Sequence, residues 1–413
     1  MNYVFFGIVA ASFVFAILSG TPAEVGKAAL DSAKNAVELS IGLVGYIALF
    51  LGLMAVVEKA GGLTFMARLI RPVLVRLFPD VPPDHPAMGA MVMNMAANAL
   101  GLGNAATPFG LKAMKELESL NTEKGTATNA MCLFLAINTS GLALLPTSII
   151  GLRSSKGSTD PAAIFPTTLF ATGLSTAVGI VVCIALSRLP HFLRSTPAVD
   201  PAVRAQRDAA LQGKSLLADM LPLTAFLGGL LALVALVYLK GEAASAWIIP
   251  SLIFGMLLVG VIRKVPVYET FVVGAKEGFQ LAVTIIPYLV AILSAVGMLR
   301  ASGGMATLVR LVGPVTSALG LPAELVPLAL LRPLSGSGAF ALTAELIDTH
   351  GPDTLIGQLA STMYGASETT FYVLAVYFGS VGIHRYRHAM WAGLAADLAG
   401  VVGSVLAVRL LLG

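Results

Sequence analysis

The residues best suited to chemistry in this chain are carboxylates, amides and hydroxyls set inside apolar sequence. Glu368 lies in the run Gly365-Ala-Ser-Glu-Thr-Thr370, midway along an apolar stretch over 354–378. An acidic side chain at the centre of a bilayer costs about 2.5–3.5 kcal/mol on insertion scales, so one found there marks the path of a solute or ion. Ser367 and Thr369 add hydroxyls beside it, and Gly365 lets a helix unwind around a ligand. A buried carboxylate can also exchange protons, so Glu368 suits both binding and coupling. The alternative is a structural carboxylate paired within the bundle. Asp397, in the stretch 389–412, and Glu345 are the further candidates for coupling to H+ or Na+.

Amides form a second group. Asn94 and Asn98 are four apart and share one helical face. Gly101, Gly103 and Pro108 follow, with Asn104 and Thr107 between them, and they free backbone groups. A helix starting after such a break aims its N–H groups at it and attracts an anion such as a carboxylate. The bland reading is that the amides hydrogen-bond between helices and pin the bundle. Asn138-Thr139-Ser140 occupies the stretch 126–150, and Arg332-Pro-Leu-Ser335-Gly-Ser337 belongs to a later broken segment. The Arg332 fork either clamps a substrate carboxylate, pairs with Glu345, or sits at the headgroup level. All of these amides, hydroxyls and charges are candidate substrate contacts.

Several chemistries are excluded. The Gly-x-Gly runs follow no strand and precede no Gly-Lys-Ser/Thr, so they are not nucleotide loops. His85, His191, His350, His384 and His388 fall in loops or at span edges as solvated side chains, and form no ligand cluster. Cys132 and Cys183 each sit in an apolar run without the paired spacing of a disulfide or metal site. No Ser/His or His-Glu-x-x-His constellation lies at depth, so neither an enzyme nor a bound cofactor is expected.

Membrane helices must position these groups. Hydrophobic residues make up 57% of 413 and charged residues 12%, half the share usual in a soluble domain. Mean hydropathy is +0.86. The net charge of +4 sits in short loops between apolar runs, the pattern that orients membrane proteins and not one that binds nucleic acid. At about 20 apolar residues per helix, nine crossings are expected, over 3–18, 36–57, 126–150, 166–188, 219–239, 246–262, 280–299, 354–378 and 389–412. The first is kept as a helix and not a signal peptide, because no Lys or Arg precedes it. The stretches 86–118 and 323–348, apolar but broken by Gly, Pro and Asn, read as re-entrant hairpins. Seventeen Lys and Arg on one side against eight on the other place the N-terminus in the cytoplasm and the C-terminus in the periplasm.

Residues 32–73 align without a gap onto 274–315, with 11 of 42 positions identical. The matches include Lys34/Lys276, Gly61-Gly62/Gly303-Gly304, Arg68/Arg310 and Pro72/Pro314, and the likeness resumes at Gly179/Gly400 and Arg188/Arg409. Each half reads as helix, amphipathic connector, broken hairpin, helix, helix. With three crossings per repeat and two helices between the repeats, the halves enter the membrane from opposite sides. The fold class expected is an all-α polytopic membrane protein of two inverted repeats, an arrangement common in secondary transporters. The domains are 1–190, a cytoplasmic linker over 191–218, and 219–413 with two leading helices.

Three runs carry a family resemblance: Asn-Met-Ala-Ala-Asn-Ala-Leu-Gly-Leu-Gly-Asn-Ala-Ala-Thr-Pro-Phe-Gly-Leu-Lys-Ala-Met at 94–114, Leu-Arg-Pro-Leu-Ser-Gly-Ser-Gly at 331–338, and Gly-Ala-Ser-Glu-Thr-Thr-Phe-Tyr-Val-Leu-Ala-Val-Tyr-Phe-Gly at 365–379. With these the chain resembles spore maturation proteins A and B fused in that order, the first half similar to A and the second to B. That family carries a gate, or nucleoside-recognition, domain found also in concentrative nucleoside transporters and ferrous-iron permeases. The resemblance implies a binding role for Ser367 and Glu368, since Ser367-Glu368-Thr369 is similar to a substrate-contacting Gly-x-Thr-Glu segment of the nucleoside transporters. It also implies a link to peptidoglycan. The expectation is an inner-membrane permease of a bacterial cell for a small polar solute, such as a nucleoside or wall-derived amino acid. The alternative is a membrane scaffold for cell-wall enzymes. Gly-rich faces permit a homodimer in the lipid bilayer.

Overall fold

The computed structural model describes residues 2–141, 143–198, 203–205, 208, 209, 212, 215–240, 247–318 and 320–412. Among these, every element is helical apart from one isolated bridge between Thr126 and Arg385. The first part of the chain forms α1 (Asn2–Ser19), α2 (Pro22–Lys59), α3 (Gly62–Leu77), α4 (Pro86–Ala99), α5 (Gly103–Ser119), α6 (Asn129–Thr139), α7 (Thr147–Ser155), α8 (Ile164–Ser187) and the short α9 (Pro190–Leu193). Then come α10 (Leu216–Lys240), α11 (Ile248–Ile262), α12 (Val267–Ala301), α13 (Gly304–Ala318), α14 (Val326–Leu331), α15 (Gly336–His350), α16 (Leu355–Gly365), α17 (Thr370–Ser380) and α18 (Ala389–Leu411). Much of the linker expected over 191–218 lies outside the described residues.

Among the described residues four helices, α2, α8, α12 and α18, are long and apolar enough to cross a membrane on their own. α2 and α12 start well before the apolar stretches at 36 and 280, because good helix formers and polar pairs such as Lys34–Glu38 extend them. The stretches 86–118 and 323–348 are both broken helical segments. The stretches 126–150 and 354–378 are corrected: neither is one helix. α6 stops at Thr139 and α7 starts at Thr147, with Gly141 at φ +58° in the gap. α16 stops at Gly365 and α17 starts at Thr370. Period and hydropathy run straight through both gaps, and only the hydroxyl, glycine and proline content marks them.

The local start signals are visible in side chains. Thr128 accepts from Met131 N to cap α6, Thr354 accepts from Gly357 N to cap α16, and Ser335 accepts from Gly338 N to cap α15. The helix ends Lys59 and Ala301, the turns Gly61 and Gly303, and the starts Gly62 and Gly304 fall at the offset that aligns 32 with 274. Both turns sit at positive φ, +91° and +78°, where glycine alone is unstrained.

Two helix pairs form the frame, and each runs antiparallel. Gly52 faces Phe271, Gly278 faces Ala48 and Gly297 faces Ser32, so α2 and α12 lie backbone to backbone along their length. Likewise Gly179 meets Ala396 and Gly403 meets Ala171 between α8 and α18. Without a hydrophobic drive between helices in lipid, such small-residue contacts carry the packing.

The broken helices cross between these pairs. At one end, Arg153 on α7 bonds Asp353 and Pro352 just ahead of α16. At the other, Gly125 O, just ahead of α6, accepts from His384 N and Arg385 N just past α17. In the middle Glu368 N donates to Thr139 O at 2.8 Å. The two segments therefore run antiparallel and touch at their gaps.

Candidate functional site

A gap in a membrane helix frees backbone N–H and C=O groups, and each must find a partner inside the protein. In the first gap Thr172 on α8 donates to Ser140 O and Gly141 O at 3.2 and 3.0 Å, and Leu144 N donates to Ala99 O at the hairpin tip. In the second, Arg332 Nε donates to Tyr364 O at 3.0 Å, and Phe371 N donates to Pro333 O at 3.0 Å. Each gap is thus served by its own hairpin. α8 braces the first and α18 the second, where Thr370 donates to Asp397 Oδ2 at 2.6 Å.

Between the gaps lies open space. A small cavity of about 140 Å³ is lined by Arg332, Ser367, Glu368, Thr147 and Ser148, with Gly101 and Tyr364 at its border. Gly101, Thr147, Ser148 and Tyr364 also line a larger one of about 330 Å³, whose walls include Tyr46, Phe50, Ser337 and Phe340. The two form one cleft with a polar end and an aromatic end. The Glu368 side chain is exposed at the polar end. Arg332 is buried, with its Cζ 4.8 Å from the Tyr364 ring centroid and Nη1 3.4 Å from Thr369 Oγ1. Those bonds use two of the five guanidinium N–H groups. Gly141 has no room for a side chain: a Cβ there would lie 2.9 Å from Glu368 Cγ and Glu368 N.

Four of the residues singled out in the sequence meet in this cleft: Arg332, Ser337, Ser367 and Glu368. The others stand elsewhere. Asn94 is fully buried and donates to Ala106 O and Tyr377 Oη at 2.8 and 3.2 Å, bracing the first hairpin against α17. Asn98 donates to Asn138 Oδ1 at 3.0 Å, and Asn138 donates to Phe134 O at 2.9 Å, which ties the hairpin to α6. Thr139 and Ser140 bond carbonyls of their own helix, and Thr176 donates to Ser140 Oγ. Ser335 is a helix cap, and Thr107 lies half-buried near the start of α5, just past its first turn. Asn104 belongs to α5, with its side chain outside the described residues.

Glu345 and His388 depart from expectation, and Asp397 has an unusual environment. Glu345 pairs with Arg300 at 2.7 Å and not with Arg332, because it lies more than two turns beyond the start of α15, toward the end of α12. His388 is fully buried ahead of α18 and not solvated, and neither ring nitrogen has a partner among the described residues. Asp397 is buried, and its Oδ1 has no donor among the described residues. The offset that joins Gly179 to Gly400 also joins Thr176 to Asp397, so a carboxylate stands where the first half has a hydroxyl.

Sequence reasoning missed the aromatic end of the cleft and the pair Thr147 and Ser148. Tyr46 did carry a signal, since it matches Tyr288 within the internal alignment. Thr147 and Ser148 follow Pro146 in what reads as a plain apolar span.

Known proteins resemble this chain closely. The family model described as Gate, nucleoside recognition, matches residues 40–156 and 282–384, more than half of the chain. Spore maturation protein B of Bacillus subtilis (strain 168) is 53% identical over 169 residues, which are 41% of this chain and 95% of that protein. Spore maturation protein A of the same organism is 40% identical over 182 residues, 44% of this chain and 93% of that protein. No solved structure matches. With its long apolar helices and this match, the chain is a multi-pass membrane protein that belongs to the Gate, or nucleoside-recognition, family.

Proposed function

We propose that the chain is a secondary permease that holds a nucleoside-class solute in the cleft between the two helix gaps. The observation that carries this reading is the pairing of an accessible carboxylate and a buried guanidinium at one end of a cleft walled by aromatic rings at the other. A planar base suits Tyr46, Phe50, Phe340 and Tyr364. A hydroxylated sugar suits Glu368, Ser367 and the N–H groups left on Arg332. The combined cleft lies toward the small end of the range of about 300–1,000 Å³ for small-molecule sites. A wall-derived amino acid would fill the polar end and leave the aromatic walls bare.

The wider architecture supports transport. The antiparallel pairing of α2 with α12 and of α8 with α18, helices that correspond in the internal alignment, is what two inverted repeats would produce. In this reading an A-like half and a B-like half each supply one hairpin and one broken helix. The Lys and Arg count puts the N-terminus in the cytoplasm of a bacterial inner membrane. Asp397 is the coupling residue. A buried carboxylate oxygen without a donor is costly unless it carries a proton or holds a cation.

The test is a thermal-shift titration of the purified chain with uridine, adenosine, D- and L-alanine, alongside Glu368→Gln. A ligand that binds the folded state raises the unfolding midpoint. Losing a charged hydrogen bond costs about 1.5–3 kcal/mol, or about 10- to 100-fold in affinity. Glu368→Gln should therefore weaken the nucleoside response by about that factor and leave the unliganded midpoint unchanged, because the side chain is exposed in the cleft. If no nucleoside shifts the wild type, or the variant responds identically, the reading fails in favour of a non-transporting scaffold.

A further inference from the structure

A second polar cavity lies far from the cleft, at the end of the molecule where α3 and α8 finish and α6 and α18 begin. It encloses about 640 Å³, and Arg76, Arg188, Arg204, Asn129, Asp80 and His388 are among its walls. Arg76 is paired with Asp219 at 2.6 Å and Arg204 with Asp80 at 2.9 Å. Arg188 is exposed to the cavity and makes no side-chain bond with another described residue. Arg387, the residue before His388, adds a further cation, fixed by Ala127 O, Phe192 O and the side chains of Asn129 and Thr196. The balance of charge around the cavity is positive.

The neutral groups point the same way. His388 is fully buried and lines the cavity, yet both ring nitrogens lack a partner among the described residues. An orphaned imidazole is costly to bury, and with both nitrogens closed off in this structure the ring must turn slightly to meet a ligand in the adjoining cavity. Asn129 accepts from Arg387 through Oδ1 at 2.9 Å, which leaves its amide N–H groups for another acceptor. The N-termini of α6, of 11 residues, and α18, of 23, open at the same place, and the N–H groups left over beside the Thr128 cap and the bond from Ala389 N to Tyr386 O favour an anion. Donors converge here from four separate segments of chain.

We propose that this cavity binds a phosphate group, held by Arg188, His388, Asn129 and the two helix starts. A planar carboxylate offers two oxygens on one edge, whereas phosphate directs oxygens to several sides and matches donors arriving from several directions. Guanidinium groups on the walls exclude a metal cation. The phosphate belongs either to a soluble ion or ester or to an anionic lipid headgroup, and the cavity chemistry is the same for both.

The experiment is a thermal-shift titration of the full chain in a neutral detergent. Sodium phosphate is compared with sodium acetate and sodium chloride at matched ionic strength, and phosphatidylglycerol with phosphatidylcholine in mixed micelles. Wild type, Arg188→Gln and Glu368→Gln are run together. A saturable rise with phosphate, or with phosphatidylglycerol alone, supports the site and names its source. One charged hydrogen bond lost should raise the half-saturating concentration in Arg188→Gln by about tenfold or more. Because Arg188 is exposed, this variant should fold normally. Glu368→Gln should respond as wild type does, so failure at the cleft leaves this result intact. Equal shifts with acetate or chloride, or an unchanged response in Arg188→Gln, overturn the proposal.

Discussion

Replacing Arg153 tests whether the crossed helices are held by their ends. Its side chain has no exposed surface and makes five hydrogen bonds: to Pro161 O, Pro352 O, Ser158 Oγ, Asp160 O and, at 2.8 Å, Asp353 Oδ1. Removing one partner of a buried ion pair typically costs about 3–5 kcal/mol, because the other groups stay buried and unpaired. Asp353 is partly exposed and keeps Ser158 and Thr159 as donors, which argues for the lower half of that range. At about 2 °C per kcal/mol for a chain of this size, Arg153→Ala should lower the unfolding midpoint in detergent by about 6–8 °C. Lys at the same position has three donors and no fork, so it should recover about half of the loss. Acid should act on the same joint. Burial alone would push the Asp353 carboxyl up, but hydrogen bonds from Ser158 and Thr159 and the Arg153 charge outweigh it and hold the carboxyl below its ordinary value. A depressed carboxylate contributes stability that is fully present above its unfolded value, about 3.9, and is lost as pH falls through the lower folded one. The wild-type midpoint should therefore drop more steeply below pH 4 than that of Asp353→Asn. An Arg153→Ala midpoint within a degree of wild type, or the same acid slope in both proteins, would refute the idea that this clasp carries the joint.

Two further expectations concern the frame and the proposed coupling residue. Gly278→Leu should separate α2 from α12, since even a Cβ there would lie 2.7 Å from Ala48 Cα; the variant should lose its monodisperse peak in size-exclusion chromatography or unfold at least several degrees lower. Asp397→Asn keeps the shape and can still accept from Thr370, so nucleoside binding by thermal shift should survive while uptake driven by a proton or sodium gradient in proteoliposomes is abolished.

How far the sequence alone reaches depends on the kind of signal. Apolar length marks α2, α8, α12 and α18 directly, because lipid requires it. The hairpins are marked by helix breakers in apolar sequence, a combination that lipid-facing helices avoid. The gaps between α6 and α7 and between α16 and α17 are half legible: the hydroxyls and glycines of 138–141 and 365–370 stand out, and Gly365 points to local unwinding, but the apolar sequence on both sides reads as one continuous span. Polarity identified Glu368, Ser367 and Arg332, which do face the cleft. The same criterion also selected Asn94, Asn98 and Asn138, whose amides brace helices to one another. An amide at depth satisfies either role, and only its partners separate them. Aromatic residues carry no such mark in an apolar span, so Tyr46, Phe50 and Phe340 passed as core.

The paired broken helices also constrain movement. They are tied at one end through Arg153 and Asp353, at the other through Gly125 and Arg385, and they touch where Thr139 O meets Glu368 N. Two rods pinned to each other at both tips cannot slide lengthwise or pivot like scissors. They can only bow apart at the middle, as two staves of a barrel do when something is forced between them. In the proposed permease a solute entering there would meet a spring whose stiffness is set at the tips, so changes to a loop far from the cleft would alter how readily it opens.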